Sequence, residues 1–524
     1  MATITYHFPA GLYPNQYNPP LTGISVNPSF AELVDMSTAS RSTTTSTDVL
    51  YRLDNGLRLK LVGTGFSFDA NGDAVGGTVT SIEVLLNNGT TLVQTISGLD
   101  LSLELFQDAA DGFDKSQLES WLLSGDDTIN GSAGDDEILG HLGNDVLNAN
   151  AGNDLVTGGG GDDTYDGGAG VDVLNFQDAY GNPTAIRGID LNATAGTVID
   201  QFGFSETFQN FEEFRGTQFS DTMIGSSVAE TFMGLGGRDT IDGGAGIDTV
   251  RYDRDFQRGA TKGVSIDLST GVATDSFGSK DTLSNIENVR ATDFKDTIVG
   301  NAASNFIRAF AGNDIIDGGS GADNMRGGKG NDTYVVSSNS DIVDELGDSG
   351  SGIDTVQSVN SFSLANTAVV KGSVENLTLL GAATHATGNA LANVLVGNAS
   401  NNTLNGAAGN DTMTGGAGND SFFFNSALSA VTNVDTITDY DAPTDTIRLE
   451  NSVFTAIVGT GSLSGWQFAK NTTGQAADAT DRIIYETDTG NLYYDSNGNA
   501  AGGSVHFATV GTNLAITAGD FFVV

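Results

Sequence analysis

The chain has 524 residues, 66 acidic and 22 basic side chains, and a formal net charge of −44. That charge opposes binding to nucleic-acid phosphate or an anionic membrane surface. There is no run of 18 apolar residues to cross a bilayer as a helix, and the lack of Cys excludes a disulfide framework, a thiolate metal site and a Cys nucleophile.

Gly, at 70 residues, is about twice its usual share while Pro numbers 7, a composition of repeated tight turns rather than of an extended linker. The length suits roughly three to four units of ~100–200 residues each.

The opening residues, Met1-Ala2-Thr3-Ile4-Thr5-Tyr6-His7-Phe8, have neither the basic nor the apolar region of a secretory signal peptide. Residues 1–121 read as a β-rich domain. Leu57-Arg58-Leu59-Lys60-Leu61 alternates strictly, and Ile82-Glu83-Val84-Leu85-Leu86 joins Leu92-Val93-Gln94-Thr95-Ile96 through Asn87-Asn88-Gly89 as a hairpin. Asp114 is placed to cap a helix over 115–123, where Trp121 and Leu122 would cover the open end of the adjoining repeats. Asp69-Ala70-Asn71-Gly72-Asp73 has alternating calcium-loop spacing but lacks Gly at position 6 and Glu at position 12, so it reads as a hairpin turn. Asp495, Asn497 and Asn499 have the same spacing.

From residue 122 a nine-residue unit, G-G-x-G-x-D-x-U-x with U large and apolar, repeats in one frame to residue 175. Its sixth positions are Asp127, Asp136, Asp145, Asp154, Asp163 and Asp172; its eighth are Ile129, Ile138, Leu147, Val156, Tyr165 and Leu174. A spacer covers 176–215. A second array over 216–251 has Asp221, Glu230, Asp239 and Asp248 at the sixth position. After a spacer over 252–290, a third array over 291–335 has Asp296, Asn305, Asp314, Asp323 and Asp332. After a spacer over 336–387, a fourth over 388–423 has Asn393, Asn402, Asp411 and Asp420. The spacers resemble one another, as in Phe211-Glu212-Glu213-Phe214, Ile286-Glu287-Asn288-Val289 and Val374-Glu375-Asn376-Leu377, and read as strands.

Six residues of the unit form a turn and three a short strand, so two units make one coil of 18 residues with a strand on each side. The eighth positions then stack inward as ladders. One apolar side chain per nine residues is a thin core to set against the backbone entropy of the rest, and stacked Asp side chains add repulsion. A hard cation with oxygen ligands supplies what is missing. Ca²⁺ takes 6–8 carboxylate and carbonyl oxygens, whereas Mg²⁺ demands octahedral geometry and keeps its waters. Turns on one edge lie 18 residues apart, so ions should sit between Asp127 and Asp145, Asp136 and Asp154, Asp145 and Asp163, Asp154 and Asp172, Asp296 and Asp314, and Asp314 and Asp332. The pair of Asn305 with Asp323 should bind more weakly, having lost a charge.

These arrays resemble the repeats-in-toxin (RTX) family, the haemolysin-type calcium-binding repeats. The resemblance implies an all-β parallel β-roll, disordered without calcium and folded with it, and roughly ten bound Ca²⁺. Residues 421–524 also resemble the family's type I secretion region. Asp435-Thr436-Ile437 and Asp445-Thr446-Ile447 look like the closing segment of a roll, Asp481-Arg482-Ile483-Ile484-Tyr485 and Gly490-Asn491-Leu492-Tyr493-Tyr494-Asp495 like a hairpin, and Asp520-Phe521-Phe522-Val523-Val524 like an uncleaved C-terminal export signal. The C-terminal domain is taken as 424–524.

The four His (His7, His141, His385 and His506) form no H-E-x-x-H, and there is no G-x-S-x-G elbow or phosphate-binding loop. His141 falls at a turn position that reads as solvated. The expectation is a non-enzymatic protein, exported by type I machinery and folded on Ca²⁺ outside the cell. It would act as a surface, matrix or adhesion component that contacts polysaccharide or the cell surface and self-associates, with a surface layer or filament as a special case. The competing classes are a secreted signalling or membrane-active protein and an exopolysaccharide-modifying enzyme.

Overall fold

The computed structural model describes residues 3–6, 34, 36, 39–86, 88–112, 115–177, 184–346 and 351–524. The expected cap Asp114 lies outside the described residues. The protein is almost entirely β, with the short strands of the repeats stacked in parallel register. It forms two compact units, Met1–Arg258 with Phe277–Ile286, and Gly259–Ser276 with Glu287–Val524.

The first unit begins with an antiparallel sheet. Strands Leu57–Phe68, Ala74–Leu86 and Leu92–Ser102 pair in order, and Leu57, Leu59 and Leu61 are buried on one face as their alternation requires. The turn at 69–73 is a hairpin connection, in which the Asp69 carboxylate accepts the N–H groups of Asn71 and Asp73. Its side chain is therefore used within the turn. Helix Lys115–Leu122 follows a second helix, Leu103–Gly112, which the sequence pattern did not predict.

Covering the end of the roll falls to a strand. Thr3–Tyr6 pairs antiparallel with Leu92–Ser102 and parallel with Thr128–Asn130, setting Ile4 against Ile129 in the first rung. The N-terminal sheet and the roll are thus hydrogen-bonded through one strand. Helix Lys115–Leu122 reaches the other sheet, where Glu119 approaches His141 of strand Glu137–Leu142 at 3.9 Å.

The eighth positions form the expected ladders. Ile138, Val156, Leu174, Phe214, Phe232 and Val250 stand in consecutive register, all buried. Phe214 belongs to the spacer, so the segment between the first two arrays adds a rung to the same ladder. The rest of that spacer makes a small meander, with Asp190–Asn192 antiparallel to Thr197–Ile199, which is antiparallel to Ser205–Gln209.

In the second unit one ladder runs from Ile266 through Ile298, Ile316, Tyr334, Val356, Leu377, Leu395 and Met413 to Ile437. Another joins Phe362, Ala386, Leu404, Phe422, Ile447 and Phe521. The C-terminal strand Phe521–Val523 is therefore a rung of the roll, with Phe521 fully buried against Phe468 and Phe522 turned outward. Hairpin Ile483–Glu486 with Asn491–Asp495 forms as expected, with Ile483 opposite Tyr494. No helix among the described residues is long and apolar enough to cross a membrane.

Candidate metal centres

Stacking at 18 residues puts severe demands on the turns. At Gly161 and Gly170, the fourth positions of their units, a Cβ would lie 1.9 and 1.6 Å from the carbonyl oxygen of the turn below, and φ is +139° and +153°. Only glycine meets both conditions.

Every sixth-position acid of the four arrays is buried. Along each column the backbone N–H of one sixth-position residue donates to Oδ1 of the next, 18 residues on. Asp127 donates to Asp145, Asp136 to Asp154, Asp145 to Asp163, and Asp154 to Asp172, at 2.7–2.9 Å. The second array has Asp221 to Asp239 and Glu230 to Asp248. The third has Asp296 to Asp314, Asn305 to Asp323, and Asp314 to Asp332; the fourth has Asn393 to Asp411 and Asn402 to Asp420.

A second column, at the fifth position, was not anticipated. Asn144 N–H donates to Asp126 Oδ1 and Asp162 N–H to Asn144 Oδ1. The frequent Asn or Asp before the sixth-position Asp was its signal.

The columns contain two kinds of turn. In the first kind the sixth-position side chain accepts the N–H of its own second position, four residues back. Ser132 donates to Asp136, Thr217 to Asp221, Ser226 to Glu230 and Thr292 to Asp296. Asn301 to Asn305, Asn389 to Asn393 and Asn398 to Asn402 repeat the contact. In these turns the second position is Ser, Thr or Asn. The side chains of Asn305, Asn393 and Asn402 also donate their amides to backbone carbonyls of the preceding coil, at Glu287, Glu375 and Ala383.

In the second kind the carboxylate stays open. Oδ2 of Asp145, Asp154, Asp172, Asp314, Asp323, Asp332 and Asp411 is buried and accepts no hydrogen bond. Asp163 differs, since its Oδ2 accepts the Tyr165 hydroxyl.

Burial without a counter-charge shows in the acidities. Desolvation, reinforced by neighbouring Asp carboxylates, pushes Asp154 and Asp314 up to about 8 and Asp145 to about 7. Burial also raises Asp172, Asp323 and Asp411 to about 6. A bare buried carboxylate oxygen is costly, and a hard divalent cation is the group that this all-oxygen donor set fits.

Acids outside the arrays continue the columns. Asp172 N–H donates to Glu212, Asp239 to Asp281, Asp332 to Asp354, Asp354 to Glu375, Asp411 to Asp435, and Asp420 to Asp445. A strict period of nine passes over them because each follows an insertion. Each still sits two residues before an inward apolar side chain, as Asp354 does before Val356 and Asp435 before Ile437. His141 is not solvated. Its side chain is 19% exposed, near Glu119, and burial lowers its pKa.

Stacked turn-and-strand coils lined by paired buried carboxylates define a parallel β-roll solenoid. The model of the RTX calcium-binding nonapeptide repeat matches residues 123–147, 139–174, 215–255, 290–325, 299–334, 316–343 and 387–422. These segments are RTX calcium-binding nonapeptide repeats, and repeats of this kind bind Ca²⁺. No curated protein gives a significant match to the chain.

Proposed function

We propose that this protein is exported unfolded by type I machinery, folds on Ca²⁺ outside the cell, and serves there as a non-enzymatic surface, matrix or adhesion component. The observation that carries the reading is the column of buried carboxylate oxygens with no donor, from Asp145, Asp154 and Asp172 to Asp314, Asp323, Asp332 and Asp411. These open turns would hold the ions, with roughly ten Ca²⁺ per chain as the expectation. Bound Ca²⁺ supplies positive charge to carboxylates that folding strips of water. The self-capped turns at Asp136, Asp221, Glu230 and Asp296 hold together by their own hydrogen bonds.

Where calcium is scarce the folded state lacks this compensation, and the acidic chain stays extended and threadable. Outside the cell, calcium binds only the folded roll and draws folding forward. The last strand supports the same order of events. Phe521 and Val523 are buried in the folded roll, so a C-terminal export signal there is accessible only before folding.

The N-terminal sheet, free of repeats, is the natural place for contact with polysaccharide or another copy of the chain. The test is circular dichroism and size-exclusion chromatography of the full chain in Ca²⁺ and in chelator, at several concentrations. A native β spectrum in chelator overturns calcium-driven folding. A monomer at every concentration in Ca²⁺, with no retention on polysaccharide, overturns the surface-component reading.

A further inference from the structure

One group of acids in the second unit departs from the repeat pattern. Oxygens of Asp332, Glu345 and Asp354 lie within 4.8 Å of one another, and all three residues are buried. Glu345 and Asp354 fall outside every segment matched to the repeat.

Strand Asn324–Arg326 pairs with Ile342–Asp344, Met325 opposite Val343. Continued two residues, that register sets Glu345 beside Gly327, where the repeat has its first glycine. A Cβ at Gly327 would lie 2.3 Å from both Asp332 Oδ2 and the Tyr334 hydroxyl, so this position looks directly onto the carboxylate. Glu345 thus puts a third carboxylate into a turn that elsewhere has two.

The group is held but not satisfied. The Tyr334 hydroxyl accepts the Gly327 N–H at 2.8 Å and donates to Glu345 Oε1. Asp314 N–H donates to Asp332 Oδ1, and Asp332 N–H donates to Asp354 Oδ1 at 2.9 Å. This leaves Asp332 Oδ2 and Glu345 Oε2 buried with no hydrogen-bond donor, on residues 1% and 5% exposed. The charges that act most strongly on Glu345 are those of Asp354, Asp332 and Glu375, all negative.

We propose that the open turn at Asp332 is a three-carboxylate cation site, in which Asp332, Glu345 and Asp354 hold one Ca²⁺ and Glu345 is a ligand that the nine-residue pattern does not provide. All donors are oxygens, which disfavours zinc and copper. Carboxylates on three separate segments give the adaptable shell that Ca²⁺ accepts and Mg²⁺ resists. The site's extra negative charge makes it tighter than a two-carboxylate turn. The inference rests on the calcium-binding reading of the open turns and is independent of export and assembly.

The test compares the full chain with Glu345→Gln, which keeps the shape and the Tyr334 hydrogen bond but removes the charge. Equilibrium dialysis should find one fewer Ca²⁺ per chain in the variant, with an unchanged circular dichroism spectrum at saturating Ca²⁺. Equal stoichiometry and affinity would mean that Glu345 is only a hydrogen-bonded strut, and the proposal fails.

Crystals of the wild-type chain grown in Ca²⁺ and exchanged with Tb³⁺ decide the matter without a variant. An anomalous peak about 2.3–2.6 Å from Glu345 Oε2 supports the site. Peaks at Asp154 and Asp314 with none at Glu345 overturn it while leaving the repeat sites standing. Peaks at none of these positions overturn both.

Discussion

The backbone N–H of Asp136 donates to Oδ1 of Asp154 at 2.7 Å, across 18 residues. The two side chains occupy the same repeat position in successive coils and meet opposite fates. Oδ2 of Asp136 takes the N–H of Ser132 at 2.6 Å, while Oδ2 of Asp154 is buried and takes none. One turn closes on itself and the next keeps a bare carboxylate oxygen.

This contrast separates two substitutions that the repeat pattern treats alike. Asp154→Asn removes charge from an open turn and should raise the Ca²⁺ concentration needed for folding by about tenfold, since site affinity follows ligand charge. Asp136→Asn keeps an acceptor for Ser132 and should leave that midpoint within about twofold. Calcium titrations followed by circular dichroism make the comparison. Equal shifts would show that self-capping does not set calcium demand.

Acidity should stabilise the calcium-free roll. An Asp in the unfolded chain titrates near 3.9, whereas burial holds Asp154 and Asp314 at about 8 and Asp145 at about 7. Between those limits the folded state binds more protons than the unfolded state. Calcium-free stability therefore falls as pH rises through the window, and is greater at pH 5 than at pH 8. Calcium needs the deprotonated carboxylates, so its stabilising effect grows in the opposite direction. Urea denaturation at both pH values, with and without Ca²⁺, measures the two slopes; calcium-free stability that rises with pH contradicts the argument.

Gly161→Ala tests the stacking geometry apart from any ion. The new Cβ would meet Gly143 O at 1.9 Å at a φ of +139°. Backbone strain alone costs about 1–3 kcal/mol, and separating the turns adds to it. Denaturation of the calcium-saturated protein should show at least that loss. A neutral result would mean that the turns can part without cost.

Phe521→Ala removes the side chain of the closing rung. Phe521 is fully buried, in register with Ile447 and packed on Phe468 with ring centroids 5.6 Å apart. The expected cost is about 3–5 kcal/mol. Phe522→Ala, at an outward position, should cost well under half as much. The pair separates a structural rung from a segment that serves only as a signal.

Much of this protein could be read from local pattern. Ile138, Val156 and Leu174 announce a ladder because their spacing of 18 is a property of the unit itself. Asp145 and Asp163 announce a stacked pair for the same reason. The distinction between Asp136 and Asp154 was not legible in the same way. The second position is Ser132 in one turn and Asn150 in the other. The Asn301 N–H donates to its own sixth position while the Asn150 side chain donates to Gly131 O, so only the hydrogen bonds separate the two turns. Thr3–Tyr6 could not be foreseen as a rung. Four residues far from the first repeat carry no periodicity, and only their pairing with Leu92–Ser102 brings them to Thr128–Asn130.

The coil, its inward ladder and the acid column are all specified by the order of residues, because each depends on contacts one repeat apart and a nine-residue period encodes them together. Long-range packing settles what happens where the period breaks. Insertions of varying length return Phe214, Asp354 and Phe521 to register. The inward side chain and the preceding acid are selected by burial and hydrogen bonding in the stack, whatever the length of chain between them. The −44 charge therefore includes carboxylates that folding gathers into buried columns, some capped by their own turns and others, such as Asp154 and Asp314, with a bare oxygen.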